Sequence, residues 1–552
     1  MFDIPGMTAA GFEALRARLD AATAGLRKDR VIDRIWKRDP TVWKSRDEEI
    51  SSRLGWLASP DWAGDTAAEF REFGRELCGE GLTHALLLGM GGSSLAPEVF
   101  RKVFGVAPGG LDLRVLDSTH PEAVLQIAES LPWDKTLFLV SSKSGTTLET
   151  SSLMKYFYAG LVQRVGEERA GCQFVAITDP DTRLDDVATA LRFRRVFRGD
   201  PEIGGRFSAL SPFGLGPAAL LGRDLRPLLD SAAATARACL APEPESNPGA
   251  ALGTLLGASA LGGRDQCVLV LSPAVESFGA WVEQIIAEST GKEERGILPL
   301  VRFDARNIEP FAGRLIAVHI GLGGDLKPPA ALARLKRAGV PTVALELAGP
   351  DALGGQFFLW EMAIAVAGHI LEINPFDQPN VAATKKRTEA TLRSIRETRR
   401  LPRPPEAEAG NLAEFLSQAA EADYIVIQAF LPPTEPNARA LRALASKLQK
   451  RTRRPVTYDF GPRFLHSTGQ LHKGDAGRGL FLQLTARRAR DAGIPDGTDP
   501  AVSTCTFGTL IDAQAQGDRE ALLDKDRRVQ SLILGEIPAD IIRLGARVAA
   551  EA

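Results

Sequence analysis

Three short segments combine residue types that can hold an anion. Gly89-Met90-Gly91-Gly92-Ser93-Ser94 sets three glycines beside two serines. Glycine lets a backbone approach a bound group closely, and a helix starting beyond the turn offers free N–H groups. The segment is not GxGxxG, because Ser94 takes the last glycine position, nor is it the GxxxxGK[ST] of a Walker A loop. Ser141-Ser142-Lys143-Ser144-Gly145-Thr146-Thr147-Leu148-Glu149-Thr150 places six hydroxyl residues around a lysine and a glycine. Hydroxyls and N–H groups at a helix start can cradle a phosphate dianion through hydrogen bonds and the helix dipole. Capping the helix needs only one hydroxyl, so the excess points to an anion. Gly204-Gly205-Arg206-Phe207-Ser208 delivers one arginine from a glycine loop. A fixed guanidinium there can stabilise an oxyanion, although a surface turn explains the same fragment.

Two further segments bear on proton transfer. In Trp281-Val282-Glu283-Gln284-Ile285-Ile286-Ala287-Glu288-Ser289-Thr290-Gly291-Lys292, Glu288 ends an apolar helical stretch. A carboxylate in partly apolar surroundings can have its pKa raised and serve as a general base. Taken alone, Glu288 reads more simply as a solvated helix end. Asn374-Pro375-Phe376-Asp377-Gln378-Pro379-Asn380-Val381 turns the chain at its two prolines, and Lys385 and Lys386 follow. Adjacent lysines are ordinarily a solvated helical face. The six histidines form no HExxH pattern, and His466 and His472 lack nearby acidic or thiol partners. The five cysteines form no CxxC pair. Neither a metal clamp nor a disulfide framework is expected, and the cysteines read as small core hydrophobes.

The elements that must position these residues follow from the apolar pattern. Short continuous runs recur at Ala85–Leu88, Leu113–Leu116, Leu137–Val140 and Phe174–Ile177, and again at Cys267–Leu271, Leu315–Val318 and Val343–Leu345. Such runs, interleaved with helical stretches, predict doubly wound parallel sheets covered on both faces, hence an α/β fold. Gly354 to Ile370 predicts a long buried helix, and Leu95 to Val103 a helix after the first glycine turn. Leu240–Pro248 and Leu401–Glu406 are proline-rich breaks. A third block predicts strands at Tyr424–Ile427 and near Val456 and Leu480, with a helix from Thr434 to about Lys450. Before Gly81 the spacing of Phe12, Leu15, Leu19 and Ala22 is helical. The expected organisation is a helical region over 1–80, α/β domains over 81–240 and 241–405, and an α/β extension over 406–552.

Composition narrows the function classes. A chain of 552 residues, at about 150 per domain, suggests three to four domains. A net charge of -2 lacks the basic excess of a non-specific nucleic-acid binder. No apolar run reaches the roughly 18 residues of a membrane span, and Met1–Gly6 lacks a signal pattern. A cytoplasmic protein that binds neither nucleic acid nor membrane is expected.

In this order, GGSS, SSKSGTTLET, GGRFS, ESTGK and NPFDQP resemble the phosphoglucose isomerase family, with its two sugar-isomerase (SIS) domains. The resemblance spans about Thr83 to Lys386. It implies a homodimer with its active site between the two domains. The implied reaction converts glucose 6-phosphate to fructose 6-phosphate through a cis-enediolate, a step of glycolysis and gluconeogenesis, with neither metal nor redox cofactor. Carried over residue by residue, Glu288 matches the base and Arg206 the enediolate-stabilising arginine. Ser142, Lys143, Ser144, Thr147 and Thr150 match the phosphate cradle, and Gly92 and Ser93 the turn against the sugar. Gln284 and Gln378 match substrate-contacting glutamines, and Lys385 a lysine linked to ring opening.

One departure stands out. The family usually has a ring-opening histidine, and registering Gly355-Gln356 on its pattern puts Phe357 there. Ring opening then falls to water, to Lys385 or to another group. His369, in the same helix, reads as a satisfied core histidine. The stretch Tyr458 to Gly474 resembles the C-terminal extension of some bacterial isomerases, including those fused to transaldolase, and it offers His466, His472 and Lys473 as replacements. Two alternatives stay open: an isomerase that also takes mannose 6-phosphate, and a non-catalytic sugar-phosphate sensor.

Overall fold

The apolar run at Ala85–Leu88 forms the core of a strand, His84–Gly89, whose residues after His84 are all buried. In the computed structural model, which describes residues 4–323, 329–398, 411–421 and 423–550, this strand lies inside a five-stranded parallel sheet, second from one edge. From edge to edge the order is Asp112–Leu116, His84–Gly89, Thr136–Ser141, Phe174–Thr178 and Arg195–Arg198. The chain reverses direction between the first and third strands in sequence, and ligands of doubly wound sheets bind at such a switch point. There Gly89 pairs with Ser141, which sets the glycine turn and the hydroxyl loop side by side.

The second sheet runs Thr342–Leu347, Leu315–Leu322, Gln266–Leu271 and Leu298–Leu300, all parallel. Met7–Ala10 adds to its edge antiparallel, with Met7 opposite Leu345. The N-terminal region is therefore not wholly helical. Four residues reading Met-Thr-Ala-Ala carry too little alternation to announce a strand. Leu353–Ile370 is apolar on every side, which marks a helix buried all round, and it packs between Pro248–Leu261 and Arg226–Ala238. The break at Leu240–Pro248 leads into that first helix, with Asn247 capping the N–H of Ala250. The break at Leu401–Glu406 lies outside the described residues.

A third parallel sheet carries the C-terminal block: Val456–Phe460, Tyr424–Ala429, Gly479–Ala486 and Arg528–Leu534. It is packed onto both others. Phe507, Leu510 and Ala513 join the core around Phe138 and Phe157, while Tyr424, Phe481 and Leu522 join the core around Val268 and Leu300. Of the cysteines, Cys239 and Cys267 are core residues, whereas Cys78 and Cys505 are half-buried and Cys172 is exposed. Among the described residues no helix is long and apolar enough to cross a membrane.

Candidate active site

The glycine turn, the hydroxyl loop and the arginine loop all follow strands of the first sheet at their C-terminal ends. Gly92 shows why glycine is needed: a Cβ there would lie 1.9 Å from the Gly205 carbonyl oxygen. The turn thus rests directly on the backbone that carries Arg206. Ser93 is buried within it, and Ser94 Oγ donates to the Gly91 carbonyl.

Arg206 is 2% exposed and held on every nitrogen. Its Nε donates to Ser289 Oγ at 2.7 Å and Nη1 to Gln378 Oε1 at 2.8 Å. Nη2 donates to the carbonyls of Pro375 and Asp377. Nη1 also lies 3.4 Å from Glu288 Oε1. Burial works against the guanidinium charge and lowers the pKa of Arg206, with Glu288 and Asp377 opposing that fall.

Glu288 sits in the last turn of the Phe278–Thr290 helix and is buried rather than solvated. Gln284, one turn earlier, donates from Nε2 to Glu288 Oε2 at 3.0 Å. The Asn374–Gln378 turn is pinned by Lys292, which gave no signal of its own in the sequence. Its Nζ donates to the carbonyls of Asn374 and Asp377 and to Asp377 Oδ1, all within 2.6 Å. Burial, aided by Arg206, lowers its pKa to about 7 against the pull of Asp377.

In the hydroxyl loop, Ser142 Oγ and Thr147 Oγ1 are 3.0 Å apart, and Ser144 Oγ and Thr146 Oγ1 are 3.1 Å apart. Thr147 stands at the N-cap of Leu148–Val165 without capping it by its side chain, so the first-turn N–H groups face the same loop. Lys385, from the Pro379–Thr398 helix, reaches this loop and donates from Nζ to Thr146 Oγ1 at 3.2 Å. Two expected members do not join. Lys143 donates instead to Asp179 Oδ2 at 2.5 Å and to the Asp200 carbonyl, so its charge is already neutralised. Thr150 points inward, its hydroxyl buried without a hydrogen-bond partner.

Phe357 lies among Phe100, Phe278 and Trp281, in an aromatic core cluster. His369 bonds through Nδ1 to the Val42 carbonyl, as a satisfied core histidine does. His472 is buried against Phe464 and Phe481, and burial drives its pKa well below the ordinary range, so it stays neutral. Lys473 pairs with Asp518 at 2.5 Å in the interior. Of the tail candidates only His466 reaches the site. Its Nε2 lies 2.9 Å from Glu149 Oε1, and its carbonyl accepts from Gln284 Nε2 at 2.8 Å. Burial disfavours the charged imidazole, yet Glu149 outweighs it and Glu288 adds, so the His466 pKa is raised. Burial likewise opposes ionisation of Glu149, and His466 reverses that to a net lowering. Glu149 was legible only as part of the hydroxyl motif, where a first-turn acid reads as a solvated partner of the helix dipole.

The arrangement therefore offers an anion loop, a buried carboxylate, a fixed guanidinium and an imidazole–carboxylate pair. No group of three or more His, Cys, Asp or Glu is placed to hold a metal ion among the described residues.

A family model described as phosphoglucose isomerase matches residues 68–303. A glucose-6-phosphate isomerase of Thermus thermophilus is 31% identical over 389 residues, covering 62% of this chain and 91% of that protein. One from Thermosynechococcus vestitus is 28% identical over 436 residues, covering 69% and 79%. Among solved structures, a hypothetical protein from Thermus thermophilus superposes with a TM-score of 0.59 at 25% identity, covering 70% of this chain and 99% of that one. A glucose-6-phosphate isomerase from Chlamydia trachomatis shares the fold, with a TM-score of 0.55 at 21% identity over 69% of this chain and 86% of that one.

Proposed function

The chain belongs to the phosphoglucose isomerase family, and from that premise we propose that it interconverts D-glucose 6-phosphate and D-fructose 6-phosphate with Glu288 as the proton carrier. The observation that carries this reading is the buried Glu288 carboxylate set against the fixed Arg206 guanidinium. The open-chain aldose loses its C2 proton to Glu288, and the electron pair moves onto O1. A cis-enediolate results, with its negative charge facing a guanidinium that needs no reorganisation. The hydroxyl proton passes from O2 to O1, and Glu288 returns its proton to C1, giving the ketose. No net proton is gained or lost.

Ser142, Ser144, Thr147 and the uncapped helix start hold the phosphate in this proposal, with Lys385 adding positive charge beside Thr146. Gly92, Ser93, Gln284 and Gln378 line the sugar. The homodimer and the cytoplasmic location belong to the same proposal and rest on family membership. A sensor of sugar phosphates would need the loop but not a buried base beside a fixed arginine.

A coupled assay for glucose 6-phosphate formation from fructose 6-phosphate tests the reading. Turnover in the intact chain supports it. Phosphate-ester binding without turnover would establish the sensor instead, and turnover of mannose 6-phosphate in the same assay would establish the broader epimer range.

A further inference from the structure

Resting on the isomerase reading, we propose that His466 is the acid that opens the sugar ring, with Glu149 and Gln514 as its positioning residues. The C-terminal region thereby completes the catalytic site within a single chain.

His466 ends the Arg463–His466 turn, just beyond the Val456–Phe460 strand of the third sheet. Its mount is tied to the base. One side-chain amide, Gln284 Nε2, donates both to the His466 carbonyl at 2.8 Å and to Glu288 Oε2 at 3.0 Å. The first sheet closes on it from the other side. Gly91 has φ +56, and a Cβ there would lie 3.1 Å from both the Cβ and the carbonyl oxygen of His466.

The imidazole's partner is fixed by a second residue of the same region. Glu149 Oε1 faces His466 Nε2 at 2.9 Å and accepts from Gln514 Nε2 at 2.7 Å. Gln514 Oε1 accepts in turn from Thr119 Oγ1 at 2.7 Å. Gln514 and Glu149 are both buried. A buried carboxylate is stable only with its charge paired and its lone pairs bonded, which these contacts supply. With Nε2 facing Glu149, Nδ1 is the nitrogen left to meet a substrate.

The other five histidines are placed elsewhere. His84 bonds to Thr83, His120 caps the N–H of Glu122, and His319 and His369 bond to the Val270 and Val42 carbonyls. His472 packs against aromatic rings.

In the opening step the C1–O5 bond of the pyranose breaks, its electron pair goes to O5, and O5 takes the proton from His466 Nδ1. The pair that held hydrogen on O1 forms the C1=O1 bond, and that proton leaves to water. Solvent returns a proton to the imidazole. The furanose of the ketose opens in the same way at C2.

The test compares a cyclising substrate with one that cannot cyclise. Fructose 6-phosphate closes a furanose through its C5 hydroxyl, whereas 5-deoxyfructose 6-phosphate has no such hydroxyl and stays open. His466→Gln keeps a donor for Glu149 and removes the transferable proton. It should lower kcat on fructose 6-phosphate by about 10²-fold, the usual scale for a general acid, and leave the open-chain substrate within about threefold. Gln514→Leu should lower kcat on the cyclic substrate by about tenfold with KM unchanged and spare the open-chain one. Unchanged turnover in His466→Gln, or equal loss on both substrates, would overturn the assignment. If that variant does not fold, His466→Asn carries the same comparison. Glu288→Gln must lose both substrates equally. Should the intact chain turn over neither, the isomerase reading itself fails, not the role of His466.

Discussion

Arg206 Nη1 lies 3.4 Å from Glu288 Oε1, and both side chains are buried. The two residues arrive from different sheets, 82 positions apart in the chain by their numbers, 288 − 206. Their approach is enforced by Ser289, which follows Glu288 and accepts from Arg206 Nε, and by Gln378, which accepts from Nη1. The guanidinium is therefore aimed before any substrate arrives, and a preorganised charge stabilises a developing anion without reorganising.

Arg206→Lys retains the charge but not the fork. A single ammonium cannot serve Ser289, Gln378, Pro375 and Asp377 together. A fall in kcat of about 10²–10³-fold is expected, the scale seen when one oxyanion donor is removed. Steady-state kinetics at saturating fructose 6-phosphate checks it; near-normal kcat would show that Arg206 only braces the turn.

Ser144 and Lys143 are neighbours with opposite expectations. Ser144→Ala removes a hydroxyl from the exposed loop, and KM should rise by about tenfold with kcat nearly constant, as for uniform binding to a charged group. Lys143→Met breaks the Asp179 pair instead. It should lower the thermal midpoint while changing KM little. Inhibition by inorganic phosphate separates the two, weakening in the first variant only.

His120 couples stability to pH. Burial is the main cause that holds its pKa at about 3 instead of 6.5, and Arg488 adds to it while Asp491 opposes. Between those values the unfolded chain binds a proton that the folded chain does not. Its contribution is complete above pH 6.5 and is lost as pH falls toward 3, at up to about 1.4 kcal/mol per pH unit. His120→Asn keeps an acceptor for the Glu122 N–H and removes the titration. Its thermal midpoint should fall less on acidification than that of the parent, and parallel curves would contradict the assignment.

The buried strands were legible because both faces of a parallel sheet are covered, which leaves continuous apolar runs. Edges were not. Arg195–Arg198 carries arginine at both ends and Leu298–Leu300 has a central proline, both devices of edge strands. At the site, the loops after strands announced themselves by glycine and hydroxyl content. Glu149 did not, because its meaning depends on His466, 317 residues on, and Gln514, 365 residues on. Lys143 misled for the converse reason: only the fold brings Asp179 to its amine. Spacing within a motif shows local geometry, while charge pairing is settled by topology.

Glu288 is the hinge of the whole reading, and hydrogen transfer from C2 reports on it directly. With glucose 6-phosphate deuterated at C2, the intact enzyme should divide the label between C1 of the product and solvent. Glu288→Gln should lose turnover and label transfer together, by about three orders of magnitude in kcat, while inorganic phosphate still binds. Label transfer at near-normal rate in that variant would place the proton carrier elsewhere and contradict the role of Glu288.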